Sequence, residues 1–223
     1  MNIAFNADCL EAMKEMPDNA FDLAVVDPPY GDGLDGGGNP NRFGGRFDRY
    51  KSYNAGQQDG RKMGGEVWKK IIAWDIAPGK EYFKQLFRVS RNQIIWGGNY
   101  FELPRTRCFL VWRKTNVPEN FTMAMAEYAW TSFNANAKVF NFSAVGIPGR
   151  FHPTQKPIEL YDWIFRLYAK DGYKILDTHL GSGSSRIAAY KAGLDFTGYE
   201  IDEQYFKLAE ERFEKFTMQG MLF

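Results

Sequence analysis

Short apolar runs alternate with amphipathic stretches along the chain. Leu23–Val26, Gln93–Trp96, Phe109–Trp112, Lys174–Leu176 and Phe196–Tyr199 read as buried strands, and Ile3–Phe5 as a weaker one. Between them, apolar positions recur at helical spacing over about 9–16, 80–91, 157–170, 184–193 and 203–216. Strands alternating with helices predict an α/β fold: a mostly parallel, twisted sheet with helices on both faces. Glu127–Thr131 and Val139–Phe142 read as extra strands at one end, in antiparallel pairing. The 223 residues suffice for one domain with a buried core, so residues 1–223 are read as a single domain.

One stretch breaks the pattern. Gly31 to Gly65 holds eleven of the 22 glycines, together with Arg42, Arg46, Arg49, Lys51, Arg61 and Lys62. A loop of this length inside a compact domain is either functional or disordered. Its arginines and lysines could neutralise phosphates, which makes 31–65 a candidate nucleic-acid flap; a solvated loop is the equal alternative. Arg105, Arg107, Arg113 and Lys114 form a second basic group, read as a solvated strand edge.

Asp27-Pro28-Pro29-Tyr30 directly follows the strand Leu23–Val26. In an open α/β sheet, ligands sit beyond the carboxyl ends of strands, so these residues should face a pocket. Two prolines stiffen the turn, and a proline has no N–H to compete for the acceptors. The Asp27 carboxylate and the Pro28 carbonyl then offer two acceptors at one point, matching the two hydrogens of an amino group. Tyr30 offers a flat face for a base. Pro-Pro alone would indicate only a strand-ending turn. The whole four-residue string arises by chance in a chain of this size on the order of once per thousand.

A second motif, Asp177-Thr178-His179-Leu180-Gly181-Ser182-Gly183-Ser184-Ser185, links the strand Lys174–Leu176 to the helix 184–193. Gly181 and Gly183 permit close backbone approach, and the helix N-terminus offers N–H groups to an anion. Ser184 or Ser185 is expected as the N-cap. The spacing is not G-x-G-x-x-G, which disfavours a nicotinamide oxidoreductase. Glu200 follows about twenty residues later at a strand end, where a carboxylate can accept from both ribose hydroxyls. Together these features describe a pocket for an adenosine-like cofactor with a charged tail.

Composition narrows the field without pointing to a partner. The net charge is +1, so any basic surface is local. No apolar run is long enough for a transmembrane helix, and the N-terminus has no signal-peptide pattern. Cys9 and Cys108 are far apart, as are His152 and His179, so no metal site is expected. A cytoplasmic chain with reduced thiols is the simplest reading.

The combination resembles the amino-group DNA methyltransferases, the N6-adenine and N4-cytosine enzymes. The order of motifs is similar to their permuted β class: Asp27–Tyr30 comes early and the glycine loop late. His152-Pro153-Thr154-Gln155-Lys156-Pro157, Asn6-Ala7-Asp8-Cys9-Leu10-Glu11 and Ile95-Trp96-Gly97-Gly98-Asn99-Tyr100-Phe101 also look like family segments. The likeness spans nearly the whole chain except 31–79 and about 134–150.

The resemblance implies a Rossmann-like fold of the seven-stranded type that binds S-adenosylmethionine. Asp27 and the Pro28 carbonyl would hold the target amine, with Pro29 shaping the turn and Tyr30 stacking on a flipped base. Asp8, beside Cys9, would bind the cofactor adenine and Glu200 its ribose. Asp177, the loop Gly181-Ser182-Gly183-Ser184, and Thr154 and Lys156 would surround the methionine moiety. The family usually has Pro-Phe after the aspartate; Thr178-His179 stands there instead, with flat His179 in the place of the Phe.

The implied activity is methylation of N6 of adenine in double-stranded DNA, within bacterial or phage restriction–modification. Adenine is favoured because cytosine enzymes of the family more often carry serine at the position of Asp27. The alternatives are N4-cytosine methylation and a DNA-binding relative without catalysis. RNA- or protein-modifying relatives more often have Asn at that position and an earlier glycine loop. The recognition segment would fall near 134–150, where only some seventeen residues are available, and Arg42, Arg46, Arg49 and Lys51 of the flap are the expected DNA contacts. Dimers occur in the family, so a homodimer is also compatible.

Overall fold

The computed structural model describes residues 1–31, 76–118, 124–144, 150–152 and 154–220. The glycine-rich stretch from residue 32 to 65, including Arg42, Arg46, Arg49 and Lys51, therefore lies outside the described residues. The chain divides into two compact units, Met1–Pro28 with Gly79–Phe223, and Pro29–Pro78. In the smaller unit, Gly31 has φ +70°, and a Cβ there would lie 2.8 Å from the backbone of Ala77.

The larger unit is built on an eight-stranded sheet, one strand more than the expected type. In chain order its elements are β1 (Asn2–Asn6), α1 (Cys9–Glu15), β2 (Phe21–Val26), α2 (Lys80–Val89), β3 (Ser90–Trp96), β4 (Phe109–Lys114), β5 (Ala126–Thr131) and β6 (Lys138–Phe142). There follow α3 (Ile158–Tyr168), β7 (Lys174–Asp177), α4 (Ser184–Lys191), β8 (Asp195–Glu200) and α5 (Glu203–Gly220). The sheet order is β1-β8-β7-β2-β3-β5-β4-β6. The first five strands run parallel, and β5 is antiparallel to both β3 and β4. β6 departs from the expected antiparallel pairing and runs parallel to β4.

Strand periodicity assigns the two faces. Leu23 and Val25 of β2, Ile94 and Trp96 of β3, and Ile175 of β7 join one core with Leu160, Ile164 and Phe165 of α3 and with α4. Ala24, Val26, Ile95 and Leu176 point the other way, onto Met13 of α1 and Tyr82, Leu86 and Val89 of α2. Both faces are covered, so the central strands read as continuous apolar runs. Helix α1 begins where the Asp8 carboxylate accepts from the N–H groups of Leu10 (2.7 Å) and Glu11 (3.3 Å). It ends where Arg88 of α2 donates to the carbonyls of Met13 (2.6 Å) and Met16 (2.7 Å).

Arg105, Arg107 and Arg113 are exposed, as expected, but the strand they flank is not the sheet edge. β4 lies between β5 and β6, and Lys114 is buried. The edge is taken by β6, whose Phe140 packs against Phe142 and Trp163, ring centroids 5.6 and 5.2 Å apart. Residues 138–142 of the expected recognition segment are therefore sheet, and 145–149 lie outside the described residues. No described helix is long and apolar enough to cross a membrane.

Candidate active site

β2 ends at Val26, and the chain leaves the sheet at Asp27 between β7 and β3. Asp27 is partly buried and Pro28 buried. The Asp27 carboxylate forms an ion pair with Lys156, whose side chain is only 4% exposed. The same ammonium reaches Glu127 of β5 at 3.1 Å and lies 5.4 Å above the ring of Trp96. Glu127 in turn accepts from Lys114 of β4 at 2.7 Å. Lys114 stands two residues along β4 from Trp112, the residue opposite Glu127, so it is Glu127's diagonal neighbour on the same face. The result is an alternating row of charges, Asp27–Lys156–Glu127–Lys114, laid across the carboxyl ends of β2 and β4 and the start of β5.

Burial works against the ionised form of Glu127, yet the ammonium groups of Lys156 and Lys114 hold its carboxyl down at about 2. Burial likewise disfavours the Lys156 ammonium, and Asp27 and Glu127 more than offset that and raise it above the ordinary lysine range. Every member of the row with such a shift is therefore charged at neutral pH.

The glycine loop leaves β7 one strand away. Gly181 (φ +52°) and Gly183 (φ +72°) take left-handed conformations, as their positions in the motif suggested. The N-cap of α4 is Gly183, and Ser184 and Ser185 lie inside the helix. Neither serine caps because each hydroxyl has a tertiary partner: Ser184 donates to the Lys156 carbonyl (2.8 Å) and Ser185 to the Asp177 carboxylate. Arg212 of α5 braces the same turn, donating to the Ser182 carbonyl (2.7 Å) and to the Ser184 hydroxyl (2.9 Å). Glu200, ending β8, accepts from the backbone N–H groups of Gly181 (2.8 Å) and Asp202 (2.9 Å). A Cβ at Gly181 would come within 3.4 Å of the His152 ring, which packs edge-on against Tyr205 at 4.4 Å.

Asp177 is 2% exposed. Burial pushes its carboxyl up to about 7, the Ser185 hydroxyl and the His179 N–H partly oppose this, and the charges of Asp27 and Glu200 add to it. No ammonium or guanidinium is paired with it among the described ion pairs. His179 is pushed down to about 4 by burial; its Nδ1 lies 2.9 Å from the Thr178 hydroxyl and its ring sits edge-on to Tyr82. Burial, with the neighbouring Asp8 charge, pushes the Cys9 thiol up to about 12, so it stays protonated.

Asp8, Glu200, Asp177 and Asp27 thus sit at the carboxyl ends of β1, β8, β7 and β2, four consecutive parallel strands. Thr154 contacts His152, its hydroxyl 3.2 Å from Nδ1. Pro29 and Tyr30 belong to the smaller unit. Lys156, expected beside a methionine moiety, directs its ammonium to Asp27 and Glu127. Glu127, Lys114, Ser185 as a partner of Asp177, and Arg212 escaped the sequence reading. The signal available for the first two was a charged residue in each of two apolar strands.

The residues fit a cationic nucleoside cofactor. The left-handed glycines form a turn whose backbone L side chains rarely adopt, and among the described ion pairs the buried Asp177 carboxyl has no cationic partner. Among the described residues no three His, Cys, Asp or Glu side chains are grouped to hold a metal.

A family model described as DNA methylase, of the N6/N4 type, matches residues 67–211. The Type II methyltransferase M2.DpnII of Streptococcus pneumoniae is 25% identical over 254 residues, covering 95% of this chain and 89% of its own length. The fold is similar to that of M1.HpyAVI in its SAM complex, with TM-score 0.55 and 18% identity over 95% of this chain and 98% of the other. It is also similar to the cytosine-N4-specific PvuII DNA methyltransferase, with TM-score 0.57 and 13% identity over 97% and 90%.

Proposed function

We propose, since this chain belongs to the N6/N4 DNA methylase family, the amino-group DNA methyltransferases, that it methylates N6 of adenine in double-stranded DNA with S-adenosylmethionine as donor. One observation carries the reading: the early acidic turn and the late glycine turn leave adjacent parallel strands, β2 and β7, at the same end of the sheet. That is the arrangement a methyl acceptor and a methyl donor require.

S-adenosylmethionine, when bound, supplies a methyl group already activated on a sulfonium. Asp177, the loop Gly181–Ser184 and Glu200 are assigned to hold it, with Asp8 at the adenine. Asp177 would carry its negative charge toward a cation, and Glu200 keeps its carboxylate at the ribose end while tethering Gly181. The protein's remaining task is alignment and electrostatics. The Asp27 carboxylate and Pro28 carbonyl accept the two amine hydrogens, which favours a localised lone pair on a nitrogen that is otherwise conjugated with its ring. A methylated amine bearing an extra proton is strongly acidic, so even a weakly basic Asp27 can take that proton. Extruding the base from the duplex costs a few kcal/mol, offset by stacking, for which Tyr30 is assigned.

Adenine is preferred over cytosine on the aspartate at position 27. The likeness to the PvuII enzyme keeps N4-cytosine as the second reading. The test is methyl transfer from labelled S-adenosylmethionine to DNA, followed by mass analysis of the nucleosides. N6-methyl-2′-deoxyadenosine is expected; N4-methyl-2′-deoxycytidine would select the second reading, and no incorporation would overturn both.

A further inference from the structure

Lys156 is the best-enclosed cation at the site among the described residues, and none of its contacts is accounted for by holding a cofactor. Its ammonium bridges two carboxylates from different strands, Asp27 after β2 and Glu127 in β5, over the Trp96 ring of β3. Its main-chain carbonyl accepts from Ser184, the first residue of α4. One residue therefore joins the acidic turn, by its side chain, to the glycine loop, by its backbone. Lys114 closes the row by neutralising the second oxygen of Glu127. Enclosing two ions of each sign is costly unless the geometry is satisfied, and removing one partner leaves the others uncompensated.

We propose that Lys156 is the positioning residue for Asp27: with Glu127 and Lys114 behind it, it fixes the orientation of the Asp27 carboxylate and keeps it ionised and weakly basic beside the target amine. This deepens the methyltransferase reading and rests on it. Two consequences follow from the chemistry. An orientation held by an ammonium that is itself paired with Glu127 of β5 does not depend on the turn's own stiffness. A carboxylate paired with a permanent cation stays an acceptor at pH values where a partly buried, unpaired one would begin to protonate. Lys156 does not exchange protons with the substrate. Among the described residues, the groups facing it or Asp27 include Glu127, Lys114, Tyr161 of α3, Tyr82 of α2, Asp177 and His152. Both tyrosines are held neutral far above pH 8 by burial, so they contribute no charge in the working range.

The experiment compares the wild-type chain with Lys156→Met, Lys156→Arg and Glu127→Gln. It measures kcat and its pH profile, the equilibrium dissociation constant for S-adenosylmethionine, and the melting temperature from pH 5 to 8. Lys156→Met should lower kcat about 100-fold at pH 7 and move the acidic limb of the profile upward. Its cofactor affinity should stay within about threefold of wild type, and its melting deficit should narrow as the pH falls and Asp27 protonates. Lys156→Arg should recover part of kcat and restore the limb. Glu127→Gln should lose roughly 3–10-fold in kcat with cofactor binding intact. Unchanged kcat and limb in Lys156→Met, or a loss confined to cofactor affinity, would overturn the proposal. If Lys156→Met does not fold, Glu127→Gln decides, and an unaltered kcat there is equally fatal. Absence of turnover in the wild type would count against the methyltransferase reading itself.

Discussion

Asp27 and Asp177 lie at the ends of neighbouring strands, β2 and β7, and have opposite company. Asp27 sits in a row where each carboxylate meets an ammonium, and Glu127 in that row is held down at about 2. Asp177, more deeply enclosed, has a hydroxyl and an N–H for partners and is pushed up to about 7. The same side chain is thus kept charge-balanced on one side and short of a cation on the other. A balanced carboxylate suits a neutral amine, which needs acceptors and no counter-charge. An unbalanced one suits a positively charged ligand, whose arrival relieves the burial cost. Under the proposed function, the electrostatics of the two turns assign Asp27 to a base side and Asp177 to a cofactor side.

Removing the base side's acceptor should have the largest effect. Asp27→Ala is expected to lower methyl transfer by roughly 10²–10⁴-fold or abolish it, while the dissociation constant for S-adenosylmethionine changes little. Equal damage to both quantities would erase the distinction between the two turns. Asp177→Asn should do the reverse, weakening cofactor binding about 10–100-fold in an equilibrium titration.

The pH dependence sharpens the contrast. Asp177 titrates near 3.8 when unfolded and about 7 when folded, so the folded state holds the extra proton between those values. Its contribution to stability is fully present below about pH 4 and is lost as pH rises through 7, on the order of 4 kcal/mol in all. His152 and His179, both pushed down to about 4, work the other way below pH 6.5. The difference in melting temperature between wild type and Asp177→Asn isolates the carboxyl and should shift by several degrees between pH 5 and 8. Cofactor affinity should rise from pH 6 to 8 in the wild type and stay flat in the variant.

The smallest effect belongs to the turn itself. Gly183→Ala places a Cβ at a positive φ, with Ala209 no closer than 3.5 Å, so the cost is conformational, about 1 kcal/mol. Thermal unfolding should show a drop of roughly 2–4 °C. A much larger loss would mean that the loop's packing, rather than its backbone, limits the cofactor side.

The elements themselves were legible. The apolar runs marked all eight strands, and the central ones most clearly, because strands buried under two helix layers leave few polar positions to blur the signal. The two turns were legible because proline and glycine state backbone requirements locally. Other readings failed where a distant partner decided. Ser184 and Ser185 looked like caps by position, but their hydroxyls serve the Lys156 carbonyl and Asp177. Lys114 looked like part of a solvated edge, as exposed Arg113 is, but β6 docks outside β4 and Lys114 is buried against Glu127. β6 was legible as a strand and not by direction, since pairing sense depends on where the chain returns.

What the residues alone determined is the vocabulary of the site: an acidic proline turn, a glycine turn and a strand-end glutamate, each ordered by short-range rules of sterics and periodicity. What only the tertiary structure decided is the charge state of that vocabulary. The Lys156–Asp27 pair joins positions 129 residues apart, and its strength comes from shared burial that no local pattern encodes. Burial raises Asp177 and matched ammonium groups lower Glu127, because Coulomb interactions depend on distance and solvent access in three dimensions, not on separation along the chain.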